Sequence, residues 1–211
     1  MADRARGPDD RLERTLRAKG MRLVAGIDEA GRGPWAGPVV AAAVILDPAA
    51  IPDGLDDSKA LTAARREQLY AEIMAAATVG VGIAGVDRID RDNILTATLW
   101  AMAEATRQLG APIELALVDG NRAPALGCPV QTIVAGDAKV ASIAAASIIA
   151  KVTRDRIMVE LHLVHPAFGF AQNKGYGTPG HQRVLAQLGP CAAHRRSFKP
   201  VAAALARAAS T

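Results

Sequence analysis

Four acidic residues and one glycine-rich loop have the types and spacing that could support chemistry in this chain. The stretch VAGIDEAGRG places Asp28 and Glu29 at the end of an apolar run and follows them with Gly31-Arg32-Gly33. Asp119 ends a second apolar run, ELALVDG, and Asp137 comes directly after a third, VQTIVAG. Because ligands bind where strand ends gather in an α/β sheet, these carboxylates are predicted to meet at one edge of the sheet.

A cluster of four carboxylates would repel strongly unless cations neutralised it. Its ligands would all be oxygen, which favours Mg²⁺ or Mn²⁺ over zinc. Two such ions suit the in-line attack of water on a phosphodiester. Adjacent residues on a regular strand point to opposite faces. Asp28 and Glu29 can therefore share an ion only if the chain departs from strand geometry after Asp28, or if Glu29 curls back; a solvated turn is the alternative for this pair alone.

Other motifs give weaker signals. GRGPWAG has the glycines of a dinucleotide fingerprint, but prolines interrupt it and a strand follows where a helix should begin. The chain has no Walker-type phosphate loop. His162 and His165 have an H-x-x-H spacing that hints at zinc, although imidazoles near the negative end of a helix explain it better. Ser142 and Ser147 are interpreted as core hydroxyls bonded to preceding carbonyls.

Alternating strands and helices are predicted to position these residues. RLVAGID and PVVAAAVIL are continuously apolar, which is typical of strands covered on both faces. DRDNILTATLWAMAEATRQL has the spacing of an amphipathic helix, and a long apolar helix is predicted from about Val140 to about His162. The pattern indicates an α/β fold with one main sheet. Residues 1–20 are predicted to form a flexible arm, residues 21–211 a single domain, and about 180–211 its helical C-terminal part.

The charge of the 211-residue chain is distributed unevenly around a net value of +4. Residues 23–150 contain nine Lys and Arg against fifteen acids, whereas residues 151–211 contain nine against two. An acidic centre and a basic final third suit cations in the middle and a polyanion across the end; a solvated basic tail is the alternative. Two cysteines without a CxxC pair favour a reducing compartment. The chain has no secretory signal, and no apolar run in it approaches the length of roughly 20 residues that a membrane span needs. It is therefore predicted to be cytoplasmic and to have no membrane association.

Five blocks of sequence, taken in order, resemble bacterial ribonuclease HII, a type 2 ribonuclease H family. They are GIDEAGRGPWAGPVVAAAVIL, DDSKALT, LVDGNR, GDAKVASIAAASIIAKVTRD and NKGYGTPGH, and the match extends from about Leu23 to about Phe198. In type 1 enzymes the first Asp and the Glu lie far apart, whereas here they are neighbours. Ribonuclease HIII has Gly-Lys-Gly where this chain has Gly-Arg-Gly. Trp35 stands where an aliphatic residue is expected.

The resemblance implies a ribonuclease H-like fold, with a central mixed β-sheet flanked by helices. It implies hydrolysis of the RNA strand of RNA–DNA hybrids, and nicking 5′ of single ribonucleotides embedded in duplex DNA to give 3′-hydroxyl and 5′-phosphate ends. Asp28, Glu29, Asp119 and Asp137 match the family's catalytic carboxylates, which hold two Mg²⁺ or Mn²⁺ ions. Asp155, in TRD, is interpreted as a structural residue.

The resemblance also implies residues that bind the nucleic acid. The loop of Gly31, Arg32 and Gly33 would contact the ribose 2′-hydroxyl, which distinguishes RNA from DNA, and Tyr176 would pack against the next deoxyribose. Candidate phosphate contacts are Lys59, Arg195, Arg196 and Lys199, with Lys151 and Arg154 as possible additions. A monomer is expected. No clear sliding-clamp peptide is visible, which leaves recruitment to replication unresolved.

Two other functions stay open from the residues alone. The same fold could serve a resolvase or transposase-like DNA nuclease, which would cut an all-DNA duplex as readily as one that contains a ribonucleotide. The chain could also be a non-catalytic nucleic-acid-binding module whose acids are solvated turns, in which case no carboxylate-dependent metal binding is expected.

Overall fold

Five strands form one mixed sheet in the order β3-β2-β1-β4-β5. The computed structural model describes residues 7–208. β1 is antiparallel to β2, which is antiparallel to β3, whereas β1, β4 and β5 run parallel to one another. The strands are β1 (Val24–Ala30), β2 (Val39–Leu46), β3 (Ala77–Ala84), β4 (Leu115–Asp119) and β5 (Val130–Ile133).

Helices cover both faces of the sheet and form the C-terminal part, as predicted. They are α1 (Arg11–Ala18), α2 (Ala63–Ala76), α3 (Val86–Asp92), α4 (Ile94–Arg107), α5 (Ala141–Val164), α6 (Phe170–Asn173), α7 (Pro179–Leu188) and α8 (Lys199–Ala208), with a short 3-10 helix at Pro166–Phe168. One core cluster joins β2 to α2 and α5, and a second joins β1, β2 and β4 to α4. Among the described helices, none is both long and apolar enough to cross a membrane.

The long helix α5 packs directly on β1, the strand that carries Asp28. Gly26 makes this contact possible, because a Cβ there would overlap the backbone of Ser142 and Ile143. The first ten residues of α5 are all buried, and most of them are alanine, serine or isoleucine. Small residues on both sides therefore bring α5 close enough to reach the sheet edge with its later turns.

The predicted flexible arm is wrong for the part of residues 1–20 that the structure describes. Residues 11–18 form α1, in which Leu16 and Glu13 are buried. The Glu13 carboxylate accepts the Ser142 N–H at 2.9 Å, and Asp9 pairs with Val140 in a short bridge. These contacts fix the segment because α5 has no side-chain cap of its own and its first N–H groups need acceptors. Residues 1–6 lie outside the described residues.

The predicted amphipathic helix over residues 90–109 is broken into α3 and α4 at Asn93. Asn93 has φ 68°, and its side chain accepts the N–H groups of Leu95 and Thr96 at 2.9 and 3.1 Å. Asparagine tolerates the left-handed region better than most residues and caps helices well. The apolar positions of the predicted helix begin at Ile94, so periodicity gave no information about the residues before Asn93.

Candidate active site

Asp28 and Asp119 lie side by side because their strands are parallel neighbours. Asp119 is the last residue of β4, and Asp28 is near the end of β1, one residue beyond the Ile27–Val118 pair. Glu29 follows on the same strand, which stays regular up to Ala30 and turns only at Gly31. The sequence left two ways for Asp28 and Glu29 to share an ion. The first, a departure of the chain from strand geometry directly after Asp28, does not occur. Both side chains nevertheless line one groove together with Asp119.

Burial and mutual repulsion act on these carboxylates in the absence of cations. The pKa of Asp28, which is 4% exposed, is raised well above 3.8, first by burial and then by the charges of Glu29 and Asp119. Burial also raises the pKa of Glu29, with a further contribution from Asp119, although Arg32 at 3.3 Å opposes the shift. Such shifts mark a place where negative charge is held without enough positive charge around it.

Asp137 joins the cluster through the turn that follows β5. The preceding residue, Gly136, donates its N–H to Asp119 Oδ1 at 2.7 Å, which ties the two segments together. The pKa of Asp137 is raised by burial, then by Asp57 and Asp119. Lys59 Nζ lies 3.7 Å from Asp137 Oδ2 and 3.5 Å from Asp57 Oδ1. All four predicted carboxylates therefore interact electrostatically at one edge of the sheet.

The donor chemistry of this cluster fits hard divalent cations. In residues 7–208, no group of three or more His, Cys, Asp or Glu side chains is arranged so that the protein alone could hold a metal ion. Mg²⁺ does not need one, because it typically takes one or two carboxylates and completes its shell with water and substrate phosphates. The carboxylates Asp28, Glu29, Asp119 and Asp137 supply oxygen only, and burial makes the charges of Asp28, Glu29 and Asp137 costly. These features fit a divalent ion.

A pair of buried serines, Ser58 and Ser147, lines the groove beside Asp28. Ser147 on α5 hydrogen-bonds Ser58, with the two Oγ atoms 2.9 Å apart. A hydrogen bond from Ser147 also opposes the rise in the pKa of Asp28. The expected bond from the Ser147 hydroxyl to a preceding carbonyl is therefore replaced by a bond to Ser58, which lies in the loop before α2.

The Gly31-Arg32-Gly33 loop begins where β1 leaves the sheet. Gly31 has φ +96°, and a Cβ at this position would overlap the side chain of Arg154. A side chain at Gly31 is therefore excluded both by backbone conformation and by space. The N–H groups of Arg32 and Gly33 have no backbone acceptor in the described part of the chain, so they are available to a ligand.

Arg195 does not contact phosphate, contrary to the prediction. Its guanidinium is fully buried and donates to four carbonyl oxygens: Gly31 at 2.6 Å, Gly37 at 2.9 Å, Arg32 at 3.0 Å and Pro38 at 3.1 Å. Burial, and then the charge of Arg154, lowers its pKa to about 9, so it stays protonated at pH 7. Arg195 thus holds the glycine loop by its carbonyls, and its buried guanidinium is not open to a substrate.

Arg154 has a similar structural role. It is 1% exposed and donates to Pro38 O at 3.0 Å, Lys174 O at 3.0 Å and Ala36 O at 3.1 Å. Neither buried arginine forms an ion pair within residues 7–208. Burying a charge is costly unless it is hydrogen-bonded, and here backbone carbonyls provide those bonds.

Tyr176 faces the glycine loop from the other side of the groove. Its ring is half exposed, and a Cβ on Gly33 would lie 3.7 Å from its Cε1 atom. Gly177 follows it and packs against the Trp35 ring, which would overlap any larger residue there. The Trp35 N–H also donates to Gly175 O at 2.8 Å. The unexpected tryptophan therefore joins the two loops that flank the groove.

The remaining candidates are exposed or structural. Arg196 and Lys199 are exposed near the start of α8, where the Asp90 carboxylate accepts the Arg196 N–H at 2.9 Å. Lys59 and Lys151 line the groove with the carboxylates. Asp155 pairs with Lys151 at 2.7 Å, as expected of a structural residue. His162 and His165 belong to no metal-ligand group in the described chain.

The relatives found by sequence and structure comparison include ribonuclease HII proteins. Residues 25–201 match the family model described as Ribonuclease HII. Over 195 residues the chain is 58% identical to a curated Ribonuclease HII of Xanthobacter autotrophicus, covering 92% of this chain and 78% of that protein.

Two solved structures from archaea have the same fold. One is the PCNA:RNase HII complex from Archaeoglobus fulgidus (TM-score 0.71, 31% identity, covering 84% of this chain and 95% of that one). The other is ribonuclease H2 from Pyrococcus horikoshii OT3 (TM-score 0.72, 27% identity, covering 89% and 99%).

Proposed function

Because the chain belongs to the ribonuclease HII family and is a hydrolase with ribonuclease H activity on RNA–DNA hybrids, we propose that it also nicks duplex DNA 5′ of a single embedded ribonucleotide. The nick would leave 3′-hydroxyl and 5′-phosphate ends. The observation that carries this proposal is the placement of the Gly31-Arg32-Gly33 loop and Tyr176 on opposite sides of the groove that Asp28, Glu29 and Asp119 line.

The four carboxylates are proposed to be the catalytic metal ligands. Asp28, Glu29, Asp119 and Asp137 would hold two Mg²⁺ or Mn²⁺ ions. When bound, such ions supply an activated water and neutralise the charge that develops on the phosphodiester. Ser147, which Ser58 hydrogen-bonds, supports the Asp28 side chain, and the Gly136 N–H does the same for Asp119. These contacts hold the oxygens where charge is needed before substrate binds.

The glycine loop is proposed to read the ribose. Arg195 draws the carbonyls of Gly31 and Arg32 toward the protein interior, whereas the N–H groups of Arg32 and Gly33 have no backbone acceptor in residues 7–208. These N–H groups can donate to a 2′-hydroxyl oxygen, which deoxyribose lacks. Without side chains at Gly31 and Gly33, the sugar can approach the backbone closely.

Tyr176 is proposed to read the sugar that follows the ribonucleotide. The Tyr176 ring is half exposed, and a Cβ added at Gly33 would lie 3.7 Å from it. The space between the ring and the glycine loop is therefore narrow. A bare 2′-carbon would pack against this ring, and an added hydroxyl would be crowded. Tyr176→Ala is therefore expected to weaken the preference for RNA–DNA junctions more than the affinity for hybrids. Equal loss of rate on single-ribonucleotide and all-RNA substrates would show that this role is wrong.

Exposed cations are proposed to contact phosphates. Lys59 is exposed although it lies beside Asp137, and the charges of Asp57, Asp137 and Asp28 together raise its pKa. Arg196 and Lys199 are exposed at the start of α8. Arg195, which the sequence placed in this group, belongs to the support of the glycine loop instead.

Three duplexes of one sequence test the proposed function. They are all-DNA, DNA with one ribonucleotide, and an RNA–DNA hybrid, each incubated with enzyme and Mg²⁺ or Mn²⁺. We expect rapid cutting of the last two and no cutting of the all-DNA duplex, with Asp28→Asn inactive on all three but still bound to the hybrid. Equal cutting of all-DNA and single-ribonucleotide duplexes would instead favour a DNA nuclease.

A further inference from the structure

Two buried histidines lie directly behind Tyr176, and the proposed chemistry uses neither. His181 on α7 is 1% exposed, and His194, in the turn before α8, is 2% exposed. Their Nε2 atoms are 2.9 Å apart. The Phe168 and Phe170 rings pack around both, with centroids 4.8 to 6.1 Å from the imidazoles, and Trp35 lies 5.6 Å from His181.

The hydrogen bonds around this pair allow one arrangement of protons. The Cys191 N–H donates to His194 Nδ1 at 3.1 Å, so this nitrogen has no proton. His194 must then carry its proton on Nε2 and donate it to His181 Nε2. His181 in turn carries its proton on Nδ1, which lies 2.9 Å from the Tyr176 carbonyl, a group that can only accept. The chain of donors thus runs in one direction, from Cys191 to Tyr176.

Both imidazoles are neutral in this arrangement. Burial is the largest cause that lowers the pKa of each, and it lowers that of His194 to about 4, with His181 and His165 contributing. A second proton on His181 would place two N–H groups face to face at 2.9 Å, and a second proton on His194 would face the Cys191 N–H at 3.1 Å. The apolar surroundings and the shared hydrogen bond therefore favour the same neutral state.

The backbone around Tyr176 needs such support because glycine lies on each side of it. Gly175 has φ +82°, and Gly177 packs on Trp35. Apart from His181, the Tyr176 backbone is held by Tyr176 N–H to Asn173 O at 2.9 Å and by Thr178 N–H to Tyr176 O at 2.8 Å. Asn173 is the last residue of α6, and Thr178 caps the start of α7. His181 connects the Tyr176 carbonyl directly to a side chain of α7, next to the bond from Gln182 Nε2 to the Gly177 carbonyl at 2.9 Å.

We propose that His181 and His194 are positioning residues that fix Tyr176 against the glycine loop and so set the preference for RNA–DNA junctions. The proposal rests on the sugar-reading role of Tyr176 given above. His194 fixes the tautomer of His181, and His181 fixes the Tyr176 carbonyl. Without this hydrogen bond, the ring would sample positions that accept a 2′-hydroxyl, and the two kinds of substrate would be cut more equally.

The tautomers can be measured on the intact wild-type protein. Nitrogen-15 imidazole spectra at pH 7 should show His181 protonated on Nδ1 and His194 on Nε2, and the His181→Asn variant assigns the His181 signals. The Nδ1–H form is the less common one for a free imidazole, so this pattern is diagnostic. Identical tautomers in the two rings, or a charged ring at pH 7, would overturn the proposal without any variant having to fold.

Two substitutions at His181 then test the effect on the substrate preference. Asparagine places an N–H donor where Nδ1 stands, whereas leucine has similar bulk and no donor. We expect His181→Leu to lower the ratio of single-ribonucleotide to all-RNA cleavage about tenfold, the effect of one hydrogen bond, and His181→Asn to stay within about threefold of wild type. In a protein that already carries Tyr176→Ala, His181→Leu should not change this cleavage ratio further. Equal ratios for the asparagine and leucine variants would contradict the proposal.

Failure of this proposal is distinct from failure of the proposed function. If the wild type does not cut the single-ribonucleotide duplex, the proposed function is wrong whatever the variants do. If the wild type cuts it and His181→Leu keeps the full preference, the proposed function stands and the positioning role is wrong.

Discussion

At the scale of single residues, the carboxylates of the site and its two buried arginines lie in separate layers. Asp28 is buried next to Glu29 and Asp119, where repulsion raises its pKa. Arg154 and Arg195 lie behind the glycine loop, where carbonyls rather than carboxylates hold them. The carboxylates are available to bind cations, and the arginines hold the conformation of the glycine loop through its carbonyls. Substitutions in the two layers should therefore have opposite effects on stability.

Asp28→Asn is expected to abolish cleavage and to stabilise the metal-free protein at pH 7. Because burial raises the pKa of Asp28 in the folded state, the folded protein binds this proton more tightly than the unfolded chain. Its contribution to stability is thus present below pH 3.8 and is lost as the pH rises through the higher folded pKa. Removing the charge should add at least about 1 kcal/mol at pH 7, or roughly 2–4 °C in Tm.

Thermal unfolding with chelator and with Mn²⁺ checks this prediction. Mn²⁺ should raise the Tm of the wild type and have little effect on Asp28→Asn, since cations relieve the same repulsion. The gain from Asp28→Asn in chelator should shrink as the pH is lowered toward 4. A variant less stable than the wild type in chelator at pH 7 would contradict this view of the charge cluster.

Arg195→Lys keeps a positive charge but cannot reproduce the guanidinium fork that bonds four carbonyls. We expect a loss of about 2–4 kcal/mol in stability, because several buried acceptors lose their donors, and a fall in kcat/KM on the single-ribonucleotide duplex of about 100-fold. Arg107→Lys, at an exposed residue that is paired with Glu104, is the matched control. Unfolding and single-turnover rates measure both effects, and equal behaviour of the two variants would contradict the support role.

Residue types revealed the acids but not their supports. Asp28, Glu29, Asp119 and Asp137 were predictable because each follows an apolar strand and because they match family motifs. Arg195 has the same charge as Arg196 and is its neighbour, so nothing in the sequence says that one is buried and the other exposed. The Ser58–Ser147 pair joins residues 89 positions apart, and such a contact follows only from the close packing of α5 on β1.

At the scale of elements, α5 carries site residues in its middle turns and depends on the N-terminal segment at its start. Ser147, Lys151 and Arg154 line the groove. At the start of the helix, Glu13 accepts the Ser142 N–H and Asp9 O accepts that of Ala141. A carboxylate at a helix N-terminus also interacts favourably with the helix dipole. α1 therefore caps the helix on which the site depends.

Glu13→Ala should lower the free energy of unfolding by about 1–2 kcal/mol, as for loss of a helix cap. Arg14→Ala, at the exposed neighbour on α1, is the control and should change it by no more than about 0.5 kcal/mol. Chemical denaturation followed by circular dichroism measures both. A Glu13 variant as stable as the Arg14 variant would mean that the α1 contact adds nothing to α5.

The elements could be predicted wherever their pattern was strong and local. The strands ahead of Asp28 and Asp119 and the long helix α5 appeared as expected, because their apolar runs are uninterrupted. Thr62 caps α2, accepting the Arg65 N–H at 3.2 Å. The break at Asn93 and the docked helix α1 were not predicted. A charged segment with one buried Glu looks flexible until its partner, a helix more than 120 residues later, is known.

At the scale of the whole molecule, the acidic centre and basic final third correspond to two parts of one surface. The carboxylates belong to the sheet edge, and the exposed cations Arg196 and Lys199 belong to the C-terminal part. Two other basic residues of that final third, Arg154 and Arg195, are buried, so the charge available to nucleic acid is smaller than composition indicates.

The double substitution Arg196→Ala and Lys199→Ala should weaken hybrid binding and reduce its dependence on salt. If each residue contacts one phosphate, the slope of log affinity against log salt should fall by about 2. The loss should be equal for the hybrid and the single-ribonucleotide duplex, because phosphate contacts carry no sugar specificity. Arg107→Ala is the control. An unchanged slope, measured by fluorescence anisotropy, would show that these cations do not contact the backbone.

The most direct test of the whole account is the position and chemistry of the cut in a duplex with one ribonucleotide. We expect a single cut on the 5′ side of the ribonucleotide, with a 3′-hydroxyl on one fragment and a 5′-phosphate on the other. Denaturing electrophoresis against end-labelled standards, with Asp28→Asn alongside, resolves both. Cleavage on the 3′ side, a 2′,3′-cyclic phosphate, or cutting by Asp28→Asn would contradict hydrolysis by water at this carboxylate site.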